Sequence, residues 1–587
     1  MSILIEPSYN GIIQTFISII IISGIIFLGN KVNNFFFRKY NHVLFDLLIG
    51  FILFSQLIKI FSYLGFFKQF NFIFSYTFLI LGIYNLKNFY NYIKNKKKFF
   101  LKSKIKIMIF FTLFLFFIIS ISPPSMADAL DYHYGFPLYL LKFNQIPPVN
   151  LWLFGALAGN GEFINASALT LGTDNFGSLI QFTSLVMLLF FFEKEIKQQH
   201  KFNFLIIFII SSPTILQLLS GPKFLLLPQI ATTVALYLLI KLKKIELIDF
   251  VFISILLMGA TQFKLSFLLS GSIIGIYTFF KAFKINKIKV LLATLLLFSF
   301  FYIPTAVWNF SQIQNPNFYN IFYSVPTEMI KNLSTFRENN YYFPFNLLIP
   351  KSLGTISTVI GFQFLLLFFP FKKTRNFYVI IFITLGTTCL YYFFGMNISR
   401  IYYEFILWSS IIFVFINDKK VNYDFYTKLM LPQLFIVICA SLYFTTFAIS
   451  GIFSNKMRDN FMKNNSLHYE GIKWANDILP MNAKIVSDLR SVSLFSREFA
   501  PTDWLDYNAP KNLVNGYLNI IKEKKMNYII FIGKLSKNNS FKNCLGDKYA
   551  ESEKIKRSTR NPFNRNSTYI YSIYKLNYEK LPNCAKD

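Results

Sequence analysis

The stretch Pro123-Pro124-Ser125-Met126-Ala127-Asp128-Ala129-Leu130-Asp131-Tyr132-His133 follows directly on an apolar run that ends near Ile121. Acidic residues are scarce, 28 Asp plus Glu in 587 residues, yet Asp128, Asp131 and His133 fall together here. Carboxylates at the mouth of an apolar helix are costly to desolvate and tend to be kept for a use. This stretch opens a loop, 123–175, with four strongly apolar segments before it and about ten after it.

Composition decides the class. Hydrophobic residues make up 54% of the chain, Phe alone numbers 75, and the mean hydropathy is positive. A soluble domain has no way to bury so much apolar surface, whereas a bilayer accepts it. The expected fold is an α-helical polytopic membrane protein of about 14 spans. Those spans are 11–29, 43–63, 70–86, 105–122, 176–192, 203–219, 224–240, 246–262, 265–281, 289–308, 352–371, 376–394, 401–416 and 428–449. The pairs 203–219/224–240 and 246–262/265–281 are split by short polar breaks and read equally as tight spans or as re-entrant hairpins.

The net charge of +31 invites a nucleic-acid reading. Most Lys and Arg, however, cluster between apolar runs, as in Lys94/Lys96/Lys97/Lys98, Lys241/Lys243/Lys244 and Lys372/Lys373/Arg375. With the spans above, every such cluster falls on one side, which the positive-inside rule makes the cytoplasm. The loops 123–175 and 309–351 and the tail from 454 then lie outside. The expected arrangement is multi-pass, with the N-terminus and the C-terminal domain on the extracytoplasmic side.

The tail, 454–587, reads as a soluble extracytoplasmic α/β domain. Helical spacing covers Tyr469 to Leu479 and Leu518 to Met526. Strands are expected at 483–488, at 528–532 as a buried parallel strand, and at 569–574. Cys544 and Cys584 share this tail and can pair in an oxidising compartment, while Cys389 and Cys439 lie in apolar runs.

Asp128 is the strongest candidate for chemistry. Moving a sugar from a lipid phosphate to a hydroxyl requires a base, and a partly buried carboxylate can serve. Asp at this position also caps helices, and a helix is expected from Ala129. Asp131 or Glu162 can orient an acceptor, or hold a divalent cation such as Mg or Mn through oxygen ligands; no other metal site is suggested. On a regular helix Asp128 and Tyr132 share a face, whereas Asp131 and His133 do not. Lys223, Lys264 and Arg400 stand at the outer ends of apolar spans, where they either neutralise a lipid phosphate or snorkel to head groups.

The run Asp128-Ala129-Leu130-Asp131-Tyr132-His133-Tyr134-Gly135-Phe136-Pro137 resembles the Asp-Ala-Leu-x-Tyr-His-x-x-x-Pro run of some bacterial GT-C glycosyltransferases. That group is related to protein mannosyltransferases and the lipid A aminoarabinose transferase. The segment Gly161–Leu169, Lys264 after Gly259-Ala260-Thr261, and Arg400-Ile401-Tyr402-Tyr403 resemble further elements of the same family. The resemblance implies a GT-C-like fold and an inverting transferase that uses polyprenyl-phosphate sugars. It makes Asp128 the base and puts Glu162, Lys264 and Arg400 in the site, to which the reading of the residues themselves adds Asp131 and Lys223, with His133, Tyr132 and Tyr403 in support. The chain departs from that pattern in two ways: three spans precede the loop, and the adjacent Asp-Glu pair is absent.

The expected function is transfer of a sugar from a polyprenyl-phosphate donor to a lipid or glycan acceptor among membrane lipids, with no nucleic acid involved. Two other classes stay open, a transporter or flippase of lipid-linked saccharides and a non-catalytic envelope assembly protein. A transporter should show two similar halves with broken spans at matching positions, and the sequence has no such halving.

Overall fold

The computed structural model describes residues 4–100, 104–149, 151–152, 154–313, 318–322, 343–368, 375–396, 398–415, 421–502, 511–533, 541, 544–556 and 568–583. Most of the expected outer loop 309–351, the end of the expected span 352–371 and Cys584 lie outside these residues.

The chain is mainly helical, with a small sheet near its C-terminus. The first helices are α1 (Gly11–Phe36), α2 (Val43–Tyr63), α3 (Phe67–Phe100) and α4 (Lys104–Ser120). The segment after α4 carries α5 (Tyr134–Phe143) and α6 (Asn160–Thr170). Then come α7 (Phe176–Glu195), α8 (Gln199–Ile210), α9 (Thr214–Leu219), α10 (Leu226–Lys241), α11 (Leu247–Phe263), α12 (Phe267–Phe283), α13 (Lys287–Phe301) and α14 (Ile303–Gln312). After the next stretch follow α15 (Arg375–Phe393), α16 (Ser399–Phe415) and α17 (Tyr423–Ala448).

Four described helices are long and apolar enough to cross a membrane, namely α1, α2, α7 and α17. A fifth span is formed if α13 and α14 count as one helix bent by 43°. The bend falls at Pro304, which lacks the amide proton that would continue the helix. Five shorter apolar helices accompany them, among them α8, α10, α11 and α12.

Two breaks have clear causes. The expected span 203–219 is interrupted at Ser211-Ser212-Pro213, leaving α8 and the short α9. The expected span 352–371 is no α-helix over its described part, but 3₁₀ turns at 353–358 and 362–368 around Gly361, whose φ is +97°. Open backbone inside an apolar bundle needs partners. The Ser212 hydroxyl donates to the Ile360 carbonyl (2.9 Å), the Thr214 amide to the Val359 carbonyl (3.0 Å), and the Phe362 amide to the Gln433 side chain (2.8 Å).

α11 and α12 fold back on each other, with Leu257 packed near Gly271 and Gly275. Lys264 sits at the turn between them.

Polar contacts sort to two ends of the bundle. At one end Lys39 pairs with Asp249 (3.0 Å), Lys241 with Glu195 (2.8 Å) and His200 with Asp424 (2.7 Å). At the other, the Lys68 amide donates to the Asn144 side chain (2.7 Å), and Arg458 pairs with Asp174. Every pair joins segments that the charge pattern assigns to the same side.

The C-terminal part begins with α18 (Asn455–Asn465) and α19 (Tyr469–Ile478) and includes α20 (Lys511–Glu523). Its main sheet contains β1 (Lys484–Ser487), β2 (Glu498–Pro501), β3 (Tyr528–Ile532), β4 (Leu545–Glu551) and β7 (Tyr571–Leu576), in the order β2-β1-β3-β7-β4. β1 pairs in parallel with both β2 and β3, and β7 pairs antiparallel to β3 and β4. Two short strands, β5 (Ile555–Lys556) and β6 (Thr568–Tyr569), pair separately. Ile529, Ile530 and Phe531 are buried, as the continuous apolar run requires. Cys544 is disulfide-bonded, whereas Cys389 and Cys439 are free.

Candidate active site

Residues 129–133 form a single π-helical turn after Pro123-Pro124, and α5 follows without a break. Such a turn carries an extra residue per turn and shifts side chains off regular helical faces. Asp128 precedes it in helical backbone conformation, and its side chain makes no capping hydrogen bond. Its carboxylate is directed to cations instead.

Three basic side chains from three distant parts of the chain meet Asp128. Lys223 Nζ lies 2.5 Å and Arg400 Nη1 3.7 Å from Oδ2, while Arg490 Nη2 lies 3.1 Å from Oδ1. Arg490 also reaches Asp131 Oδ2 at 3.5 Å. Lys223 above all, aided by Arg400 and Arg490, overcomes the effect of burial and holds the Asp128 carboxyl well below the usual carboxylate range. Asp131 and Lys223 are buried, and Asp128 is 26% exposed, so the cluster touches solvent at one edge.

A second group lies next to the first. Glu162 sits in the first turn of α6, and its Oε2 accepts the Gly159 amide at 2.7 Å. Its Oε1 lies 2.5 Å from His133 Nδ1 and 3.8 Å from Lys264 Nζ. Lys264 also donates to the Leu157 carbonyl (3.1 Å) and stands 4.8 Å from the centre of the Tyr132 ring, an arrangement that favours a cation. Gly159 makes this meeting possible. A Cβ there would come within 2.2 Å of the Phe263 carbonyl, at the end of the helix that leads to Lys264.

His133 and Glu162 are both fully buried. Burial lowers the His133 pKa from 6.5 to about 4, against the opposing pull of Glu162. Burial alone would raise the Glu162 carboxyl, but Lys264 and His133 bring it below its ordinary value. Together these directions describe an ionised Glu162 that accepts a hydrogen bond from Nδ1–H of a neutral imidazole. Nε2 then carries a lone pair, and among the described residues it has no hydrogen-bond partner.

Asp128, Asp131, Glu162, His133, Tyr132, Lys223, Lys264 and Arg400 are thus brought into two adjoining clusters. Tyr403 stands apart from them, buried and donating to the Ile209 carbonyl at 3.0 Å, where it ties α16 to the end of α8. Among the described residues no three His, Cys, Asp or Glu side chains gather as metal ligands. Asp131 and Glu162, the carboxylates expected to orient an acceptor or hold a divalent cation, stand beside Arg490 (3.5 Å) and Lys264 (3.8 Å) respectively, a setting that disfavours a metal ion.

Two participants were not anticipated. Lys59 is a buried cation within α2 that donates to Gln262 Oε1 at 2.8 Å, two residues before Lys264. Its charge within an apolar run was a legible signal. Arg490 belongs to the C-terminal domain, and nothing local distinguishes it from the other basic residues of that tail. A groove of about 810 Å³ also runs between α12 and α15, lined by Ile273, Ile276, Phe280, Tyr378, Phe382 and Ile383. Most of its lining side chains fall in the half of each helix away from Lys264 and Arg400.

Two family models together match the chain from residue 57 to its end. The DUF1420 N-terminal domain matches residues 57–462 and the DUF1420 C-terminal domain residues 463–587. No curated protein matches.

Proposed function

We propose that this chain, which belongs to the DUF1420 family, is a membrane glycosyltransferase of the GT-C type. It moves a sugar from a polyprenyl-phosphate donor to a lipid or glycan hydroxyl on the extracytoplasmic face. The observation that carries this reading is the cation cluster around Asp128, where Lys223, Arg400 and Arg490 converge on one half-buried carboxylate. Such a convergence, placed where loop 123–175 meets apolar helices, suits an anionic head group carried on a lipid.

The reaction is a single inverting displacement. The acceptor oxygen forms a bond to the anomeric carbon as the carbon–oxygen bond to the donor phosphate breaks. The polyprenyl phosphate leaves with the bonding electron pair, and the acceptor proton passes to a base. Lys223 and Arg400 neutralise the phosphate, and the apolar groove between α12 and α15 suits the polyprenyl chain.

Asp128 is the base in this account, and its salt bridges explain how it becomes one. Before the donor arrives, Asp128 is a counterion with little proton affinity. When the donor phosphate takes up the cations, the positive field at Asp128 weakens and its basicity rises. A second assignment within the same reaction is favoured by one observation, the unpartnered Nε2 of His133. Held by Glu162, that nitrogen can accept the proton in the manner of a carboxylate-oriented histidine.

The same-side pairing of charged ends and the bonded Cys544 support a topology with loop 123–175 and the C-terminal domain outside the cytoplasm. Reconstitution in sealed vesicles with a labelled polyprenyl-phosphate sugar tests the assignment. A transferase releases free polyprenyl phosphate when acceptor is present. Movement of intact donor between leaflets, without bond cleavage, would make the protein a flippase.

A further inference from the structure

We infer that the C-terminal sheet domain is part of the active site and donates Arg490 to the donor phosphate as a third cation beside Lys223 and Arg400. This inference rests on the transferase reading above and gives the domain its role.

Arg490 stands on the loop that leaves β1, the central strand of the parallel part of the sheet. Loops at the carboxyl ends of parallel strands are the usual place for ligand-binding side chains. Here that loop is docked onto the segment that carries Asp128. Ser493 Oγ donates to the Leu130 carbonyl at 2.5 Å. Val492 packs so closely on α5 that a Cβ on Gly135 would lie 3.3 Å from it and 2.6 Å from the Trp152 ring. Trp152 in turn meets Phe499 of β2 edge-to-face, with ring centres 5.5 Å apart. The Arg490 guanidinium lies 5.1 Å from the centre of the Phe154 ring, which orients its plane.

Charge and exposure point the same way. Lys223, Arg400 and Arg490 bring three formal positive charges to Asp128 and Asp131, which bring two negative ones, a formal excess that suits a phosphodiester. Arg490 is 39% exposed on its side chain whereas Asp131 is 1% exposed. The guanidinium can therefore turn toward an incoming group while the carboxylate beneath it stays covered. A guanidinium also presents paired N–H groups to phosphate oxygens, which Lys223 cannot do.

The competing role is a staple that holds the domain in place through Asp128 and Asp131. The two roles separate in the full-length protein. Binding of a short-chain polyprenyl phosphate is measured for wild type, Arg490→Ala and Arg490→Lys. In parallel, domain docking is read from bismaleimide crosslinking of Lys142→Cys with Ser496→Cys, at a contact where Lys142 Nζ reaches the Ser496 carbonyl. The inference predicts a loss of affinity of roughly ten- to a hundredfold for Arg490→Ala, a smaller loss for Arg490→Lys, and unchanged crosslinking. Unchanged affinity, or affinity lost only together with crosslinking, overturns it. Wild type that binds the phosphate but cleaves no donor overturns the transferase reading instead, and leaves the Arg490 comparison standing.

Discussion

The Nδ1 atom of His133 lies 2.5 Å from Oε1 of Glu162, and neither side chain is exposed to solvent. The pair joins the π-helical turn at 129–133 to the first turn of α6, across 29 residues of chain. It holds a neutral imidazole beside an ionised carboxylate, and this protonation state has consequences that can be measured.

The first concerns stability against pH. The native His133 pKa is about 4, whereas an unperturbed His titrates near 6.5. Between these values the unfolded chain binds a proton that the native protein does not. Stability therefore rises with pH across this window and is lost on acidification from 6.5 toward 4, by at most about 3 kcal/mol. Thermal unfolding of detergent-solubilised protein should show that loss, and His133→Gln should flatten it. A wild-type profile that is flat from pH 6.5 to 4 would contradict a buried neutral His133.

The two candidate bases differ in their kinetics. If Asp128 takes the proton, Asp128→Asn lowers kcat by about 10²–10⁴-fold and His133→Gln has a weaker effect. If His133 takes it, the order reverses, and kcat/KM falls as the pH drops toward 4, well below the ordinary histidine range. The pH profiles of the two variants decide between them.

Gly159 gives a prediction independent of chemistry. A methyl group there would meet the Phe263 carbonyl at 2.2 Å, so Gly159→Ala has to push α6 away from the end of α11. The expected cost is about 1–3 kcal/mol in stability, together with a larger separation of Glu162 from Lys264. A melting temperature equal to that of wild type would show that the two helices part without strain.

Much of this arrangement was legible because membrane chains make charge expensive. Asp128, Asp131, Lys223, Lys264 and Arg400 stood out as charges at the ends of apolar runs, and they fall into the two adjoining clusters. The strand at 528–532 and the helix beginning at 176 were readable for a related reason, since a continuous apolar stretch has few other places to go. What escaped depends on distance along the chain. Arg490 lies 362 residues from Asp128, and no local pattern encodes their contact. The π-helical turn at 129–133 was not legible either, since the facial argument for Asp128 and Tyr132 assumed regular helical spacing. The 3₁₀ backbone at 353–368 survives because Ser212, Thr214 and Gln433 supply hydrogen bonds from elsewhere, and apolar character alone cannot reveal such partners.

Orientation can be tested in intact cells lacking Cys389 and Cys439. Asn464 and Lys244 are both exposed. An impermeant thiol reagent should label Asn464→Cys and leave Lys244→Cys unlabelled until the cells are opened. The opposite pattern would place the charge clusters around Asp128 and Glu162 on the cytoplasmic side.

The most direct test is release of polyprenyl phosphate from a labelled polyprenyl-phosphate sugar by the purified full-length protein, with and without Asp128→Asn. The account predicts acceptor-dependent release by wild type and a fall of at least about a hundredfold in the variant. Equal release by the two proteins, or none by wild type with donor and acceptor in excess, would contradict it.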